Sequence, residues 1–314
     1  MGVKSAGAGF IVWLALWAPV PFAGREPGLI DRLFLLGPLV IVPLGLRLCE
    51  VRDGAVLQRV TTAAQPVCAA LVVVSVLTRT GIAAALLAVP WLAFGVMCAV
   101  IGLVRVLRGG LRHVEDVCLD AALMFLPVGC VWLVIARLGI NPLGFSDDIV
   151  LLTAVHFHFA GFAALVMLGM TGRYAGGMLY RAAAWGAITG IPFLALGITF
   201  SPSLECAAAL LLAASMVSAA GITVFVVLPL VAERSVKVLL AVSAGSLAAA
   251  MVFAGIYALG KYTGRNWLEI PEMAVLHGFS NAVGFSLCGL AGWNLVGEEG
   301  TVERHAGEAR HPRG

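Results

Sequence analysis

Two histidines stand in an otherwise apolar stretch, TAVHFHFAGF (153–162). An imidazole titrates near neutral pH and binds metals, so each histidine is a candidate for proton transfer, metal binding or a structural hydrogen bond. His156 and His158 are two residues apart, and in a helix they would point about 200° away from each other. We therefore expect one of them, His156, to face a partner helix, and the other to bond a neighbouring carbonyl.

A second polar group follows far along the chain, in WLEIPEMAVLHGFSNAVGF (267–285). His277 and Asn281 are four residues apart and share one face of a helix. Carboxyl groups precede both histidine segments. The candidate catalytic residues are therefore Asp147, Asp148, His156, His158, Glu272, His277 and Asn281.

The composition defines the class of protein that must position these residues. The chain has 314 residues, of which 61% are hydrophobic and 12% charged, and its mean hydropathy is +1.01. A soluble domain carries about 25% charged residues, so half that share, in long apolar runs, indicates an integral membrane protein. The net charge of +3 is spread between the runs, so we expect no nucleic-acid partner. The seven cysteines include no CxxC pair and are expected to be small buried hydrophobes.

Ten apolar segments are long enough to cross a bilayer as helices, which takes about 20 residues. We therefore predict an all-α fold, a polytopic transmembrane helical bundle of about ten spans. The transmembrane domain covers residues 1–296, and the charged, Gly-rich segment 297–314 is expected to be a disordered cytoplasmic tail. The predicted spans are 6–23, 33–49, 61–79, 81–105, 115–138, 148–171, 178–200, 204–232, 235–259 and 271–296.

The distribution of basic residues gives the orientation. With a cytoplasmic N-terminus, 14 of the 20 Lys and Arg residues lie on the cytoplasmic side and 6 on the other. This asymmetry is typical of multi-span membrane proteins and supports ten spans with both termini inside. The sixth and tenth spans then both enter from the outer face. His156 and His158 would lie roughly 12–16 Å below Asp147 and Asp148 at 1.5 Å per residue.

Ionisable groups inside a membrane are costly and are functional candidates by default. All seven candidates fall in the outer half of the membrane, which is the main functional indication. A carboxylic acid in apolar surroundings can donate a proton, and a histidine beside it can take the proton back. Five phenylalanines could line a pocket for a lipid-like substrate: Phe157, Phe159, Phe162, Phe279 and Phe285.

Metal binding is the main alternative chemistry. His156, His277, Glu272 and an aspartate would supply nitrogen and oxygen ligands suited to zinc, iron or copper. No HExxH motif is present, and haem held by two histidines is disfavoured because the histidines start at different depths. We expect no cofactor, with a metal bound by His and carboxylate as the alternative.

Two blocks of sequence resemble the YndJ-like family of bacterial multi-span membrane proteins. They are RLGINPLGFSDDIVLLTAVHFHFAGF (137–162) and HGFSNAVGFSLCGLAGW (277–293), with compatible apolar segments between them. The resemblance implies an all-helical fold in the bacterial cell membrane. It directs attention to the polar positions of the two blocks and supplies no reaction.

Three functional hypotheses follow. The first is a membrane-embedded enzyme of the isomerase or cyclase type acting on a lipophilic, isoprenoid-like substrate. In it Asp148 or Glu272 is the acid, His156 and His277 act as base or orienting groups, and Asn281 donates a hydrogen bond. The second is a proton-coupled transporter or exporter, because proton relays use the same residue types. The third is a structural or sensory membrane component. In each, membrane lipids surround the protein.

Overall fold

The structure, a computed structural model, describes residues 2–19, 24–50 and 56–296. This part of the chain contains ten helices and no strand, which confirms the predicted all-α bundle. The predicted tail, 297–314, lies outside the described residues. The helices are α1 Gly2–Ala15, α2 Leu29–Leu48, α3 Val56–Leu77, α4 Ile82–Gly109, α5 Val114–Leu138, α6 Asp147–Gly172, α7 Met178–Phe200, α8 Pro202–Leu230, α9 Arg234–Thr263 and α10 Ile270–Val296.

Nine of these helices, α2 to α10, are long and apolar enough to span a membrane. The first helix differs from its predicted range, 6–23, because α1 ends at Ala15. Pro19 follows closely, and a proline cannot donate to a helical hydrogen bond. Arg32 contacts the residues that follow α1. Its Nε donates to the Leu16 carbonyl (3.0 Å), and its guanidinium lies 5.3 Å from the ring centre of Trp17.

Contacts between the helix ends show that the helices alternate in direction. At one end, the Arg25 N–H donates to the Leu77 carbonyl (3.1 Å) and the Gly81 N–H to the Arg137 carbonyl (2.8 Å). At the other end, Asn294 donates to the Leu44 carbonyl (3.1 Å). The start of α1 and the end of α10 therefore lie at the same end of the bundle. The charge asymmetry predicts that this is the inner end.

Helix α2 lies at the centre of the bundle. Its apolar window is 83% buried, compared with 61% for α6 and 28% for α9. It contacts α1, α3, α6 and α10, whereas most other close contacts join helices that follow each other in the chain. A side chain of α6 that points towards α2 is therefore shielded from lipid, and one on the opposite face is not.

Four helices contain π-helical segments, in which each N–H bonds five residues back: Gly37–Ile41 in α2, Phe157–Ala163 in α6, Thr223–Val227 in α8 and Ala274–Leu287 in α10. Such segments are rare and occur often at functional sites. The segments of α2, α6 and α10 contact one another. Those of α6 and α10 contain or adjoin all three histidines of the candidate site.

Ion pairs lie at both ends of the bundle. At the outer end Asp31 is buried and accepts two hydrogen bonds from the Arg25 guanidinium (3.0 and 2.7 Å). At the inner end the buried Asp120 of α5 lies 2.7 Å from Nε of Arg105 on α4. All seven cysteines are in the described part of the chain; six are buried and all are free thiols.

Candidate functional site

His158 is a buried structural residue. Its side chain is completely shielded, and both ring nitrogens are hydrogen-bonded. Nδ1 donates to the Ala154 carbonyl (2.8 Å), and Nε2 accepts from the indole N–H of Trp91 on α4 (2.9 Å). The two bonds assign the neutral tautomer with the proton on Nδ1. His158 thus connects α6 to α4 and has no lone pair left for a substrate.

Several residues that the sequence analysis did not single out form the pocket around His158. Phe34 of α2 packs edge-on against the imidazole, with ring centres 5.1 Å apart. Gly129 of α5 leaves room for the ring, because a Cβ there would lie 2.7 Å from Nδ1. The only sequence signal for this pocket is a tryptophan within a span, at position 91, since a buried indole needs an acceptor.

His156 has the opposite environment. It is exposed on the surface of α6, well inside the span. Its Nδ1 donates to the Leu152 carbonyl (2.8 Å), one turn earlier in the helix. This bond leaves Nε2 as an acceptor, and no other described residue donates to it. His156 therefore presents an available lone pair in the outer half of the membrane.

His277 of α10 lies beside His156. We expected His156 to face a partner helix, and this helix is α10, the tenth predicted span. Their rings are nearly parallel, with centres 6.4 Å apart. Nδ1 of His277 donates to the Ala250 carbonyl on α9 (2.9 Å), and Nε2 accepts from the Asn281 amide (3.1 Å). These bonds fix the orientation of the ring, so His277 and Asn281 form a rigid wall beside His156.

The three carboxyl groups do not join this cluster. Asp147 and Asp148 are exposed at the start of α6, and Asp147 accepts a hydrogen bond from Asn141 (2.8 Å). Glu272 caps the start of α10 by accepting the Glu269 N–H (3.0 Å). Within the described residues, no hydrogen bond or ion pair connects any of the three to a histidine. The first turn of a helix favours acidic side chains for its own N–H groups, which explains their positions.

The arrangement suits proton transfer better than metal binding. Among the described residues, no group of three or more His, Cys, Asp or Glu side chains is close enough to hold a metal ion. The four ligands considered from the sequence therefore do not meet. Of the five phenylalanines, four are buried in helix packing and Phe279 is exposed.

Comparisons with known proteins agree with this architecture. The family model for YndJ-like proteins matches residues 32–285, which include all the site residues. The chain is 28% identical over 291 residues to a protein of Bacillus subtilis (strain 168) named "Uncharacterized membrane protein YndJ". That alignment covers 91% of this chain and 51% of the relative, so the chain spans about half the length of the curated relative it matches. No solved structure matches the chain.

Proposed function

The chain belongs to the YndJ-like family of multi-pass bacterial membrane proteins, and we propose that it is an intramembrane enzyme that moves a proton on a lipophilic substrate. His156 is the acid–base residue, and His277 with Asn281 positions the substrate against it. The substrate enters sideways from the outer leaflet and is of isoprenoid type. This reaction would be an isomerisation that needs no cofactor.

One observation carries the proposal: Nε2 of His156 is an available proton acceptor on an exposed side chain inside a membrane span. A polar side chain inside a membrane is normally bonded or turned towards the bundle interior, because exposure to lipid is costly. His158 and His277 follow this rule, with both ring nitrogens bonded. His156 does not follow it, and a partner that arrives through the membrane would supply the missing bond.

One imidazole is sufficient for the proposed step, because it first removes a proton and then returns it. Nε2 of His156 takes a proton from a carbon that lies between a carbonyl group and a double bond, the double bond shifts into conjugation with the carbonyl group, and the imidazolium returns the proton to the far carbon. The Leu152 carbonyl stabilises the imidazolium because it accepts the Nδ1–H throughout. The carboxylic acid considered from the sequence, Asp148 or Glu272, has no part in this step, since neither contacts a histidine. Cyclisation, which needs a strong acid, is therefore less well supported than isomerisation.

Deuterium exchange tests the enzyme. The purified full chain would be incubated in detergent with a mixture of β,γ-unsaturated isoprenoid ketones and aldehydes in D2O, and mass spectra of these compounds recorded. We expect deuterium incorporation with the wild type. His156→Ala should reduce it about 100-fold or more, the usual contribution of an acid–base residue, and Asn281→Ala by a smaller factor.

The matched control is His113→Ala, which removes an exposed histidine at the inner end and should leave the exchange unchanged. Full incorporation by the His156→Ala variant would contradict the proposal. Absence of incorporation in the wild type would exclude isoprenoid carbonyl compounds as substrates.

Proton-coupled transport is the second candidate, and the contact between the π-helical segments of α2, α6 and α10 favours it. Transporters build their sites from interrupted helices near the middle of the membrane. The test is proton movement into liposomes that contain the protein and a pH-sensitive dye, driven by a membrane potential. Two results together would favour transport: proton movement that the wild type shows and His156→Ala lacks, and no deuterium incorporation into any lipid by the wild type.

A further inference from the structure

A buried arginine lies at the end of the bundle that carries the turns near Arg25 and Gly81, the predicted outer end. Arg137, the last residue but one of α5, is only 4% exposed. Its Nη2 donates to the Thr78 carbonyl, whereas its Nε is buried and has no hydrogen-bond partner. A guanidinium has five N–H donors, and a buried donor without an acceptor is costly. Arg137 therefore has a donor left for a further acceptor.

No carboxylate in the described part of the chain makes an ion pair with Arg137. Asp31 is close enough for its charge to act on Arg137. Its two oxygens, however, already accept hydrogen bonds from the Arg25 guanidinium (3.0 and 2.7 Å) and from the Gly28 N–H (2.8 Å). Glu26 is exposed to solvent. Burying an unpaired charge is strongly unfavourable, so the charge of Arg137 calls for an anion that the described residues do not supply.

The loop 78–81, between α3 and α4, brings two more arginines to the same place. The backbone N–H of Arg25 donates to the carbonyl of the last residue of α3 (3.1 Å). Nε of Arg79 donates to the Gly24 carbonyl (3.3 Å), and this side chain is exposed. The loop that accepts the hydrogen bond of Arg137 therefore also lies beside Arg25 and Arg79, which are open to solvent in part or in full.

The first turn of α4 adds its N–H groups at the end of this loop. Gly81 precedes the helix and has no side chain, so no side chain caps the first turn. The Gly81 N–H donates to the Arg137 carbonyl (2.8 Å), which fixes the start of α4 against the end of α5. The start of a helix carries a partial positive charge and favours anions. Positive charge from three arginines and from a helix start thus meets at one loop.

We propose that this loop binds a small inorganic anion, chloride. Arg137 and the first turn of α4 hold the ion, and Arg25 and Arg79 lie at its entrance. The almost complete burial of Arg137 favours a small ion, because a lipid phosphate would bring its glycerol and acyl chains with it. The bound ion neutralises Arg137 and connects the ends of α3, α4 and α5. The site is independent of the proposed enzyme, because it uses none of the residues of the histidine cluster.

The test measures chloride binding to the purified full chain in detergent, by thermal unfolding and by the NMR line width of chloride. Sodium chloride, sodium bromide and sodium gluconate are compared at constant ionic strength, and gluconate is too large for the site. An ion that binds only the folded protein raises the melting temperature once its concentration exceeds its Kd. We expect chloride and bromide to raise the melting temperature, gluconate to leave it unchanged, and the protein to broaden the chloride signal.

Arg137→Met should abolish both chloride effects, because it removes the buried charge. Arg79→Gln alters only an exposed side chain and keeps the test decisive if Arg137→Met does not fold. It should weaken chloride binding about fivefold, the factor that corresponds to one charge pair about 4 Å apart in water. The matched control is Arg265→Gln, which removes an exposed arginine from the loop after α9 and should leave chloride binding unchanged.

Equal melting temperatures in chloride and gluconate, without line broadening, would overturn the site. Chloride effects that persist in Arg137→Met, or that fall equally in Arg79→Gln and Arg265→Gln, would do the same. A melting temperature that phosphatidylglycerol raises and chloride does not would assign the counter-charge to a lipid phosphate and overturn the assignment to chloride.

Discussion

At the scale of single residues, two histidines only two positions apart have opposite roles. His158 is enclosed by α2, α4 and α5, and its ring nitrogens complete the hydrogen bonding of a tryptophan and a carbonyl. His156 is exposed and keeps one nitrogen open. The difference arises because a helix turns the second side chain to the opposite face, and only one face of α6 packs on the central helix.

Replacing each histidine by alanine should separate these roles. We expect His158→Ala to destabilise the protein by about 2–4 kcal/mol, because it leaves a cavity and an unbonded indole N–H at Trp91. His156→Ala should cost less than about 1 kcal/mol, because the side chain is exposed and bonds only its own helix. Thermal unfolding of the purified variants in detergent would measure both. A larger loss for His156→Ala than for His158→Ala would contradict this assignment.

At the scale of helices, small residues decide where α1 and α2 can meet. A Cβ at Gly9 would overlap the Leu39 backbone carbonyl, whereas a Cβ at Gly7 of the same helix would meet nothing within 4 Å. Helices in membranes pack through such small residues, because the hydrophobic effect does not drive helices together in lipid and close van der Waals contact must do so. The short first helix is therefore held by close backbone contact as well as by Arg32.

The two glycines give a matched pair of substitutions. Gly9→Ala should push α1 away from α2 and lower the melting temperature by several degrees, a loss of about 1–3 kcal/mol typical of overpacking. Gly7→Ala should be neutral or stabilise the helix by up to about 1 kcal/mol, because alanine is the better helix former. Thermal unfolding and cross-linking of cysteines placed in α1 and α2 would test the pair. Equal melting temperatures would show that this contact is not tight in the membrane.

At the scale of the whole molecule, the alternation of the helices assigns each loop to one side of the membrane. The turns near Arg25, Gly81 and Gly139 meet at one end, and the ends of α2, α4 and α10 meet at the other. The excess of Lys and Arg predicts that the second end is cytoplasmic. The candidate histidines would then lie nearer the outer face.

Labelling with a membrane-impermeant maleimide tests this orientation. Leu143 and Leu111 are both exposed, 73% and 58%, in loops at opposite ends of the bundle. In intact spheroplasts Leu143→Cys should react, and Leu111→Cys should react only after the membrane is opened. The wild type gives the background, because six of its seven cysteines are buried. The reverse pattern would place the start of α1 outside the cell.

The sequence alone determined the class, the number of helical segments and most of their limits. These follow from local properties: the hydropathy of about 20 consecutive residues and the bias of basic residues in short loops. It also indicated which polar residues share the outer half of the membrane, because depth follows from the rise of 1.5 Å per residue.

Only the tertiary structure decided which of these residues meet. The direction of a side chain depends on the rotation of its helix about the helix axis. This rotation is set by packing against α2 and by the π-helical segments of α6 and α10. His156 therefore meets His277 and Asn281, His158 is enclosed by α4, and the carboxylates remain at the helix ends. No pattern in the sequence contains these rotations, because they are the outcome of packing among helices that are distant in the chain.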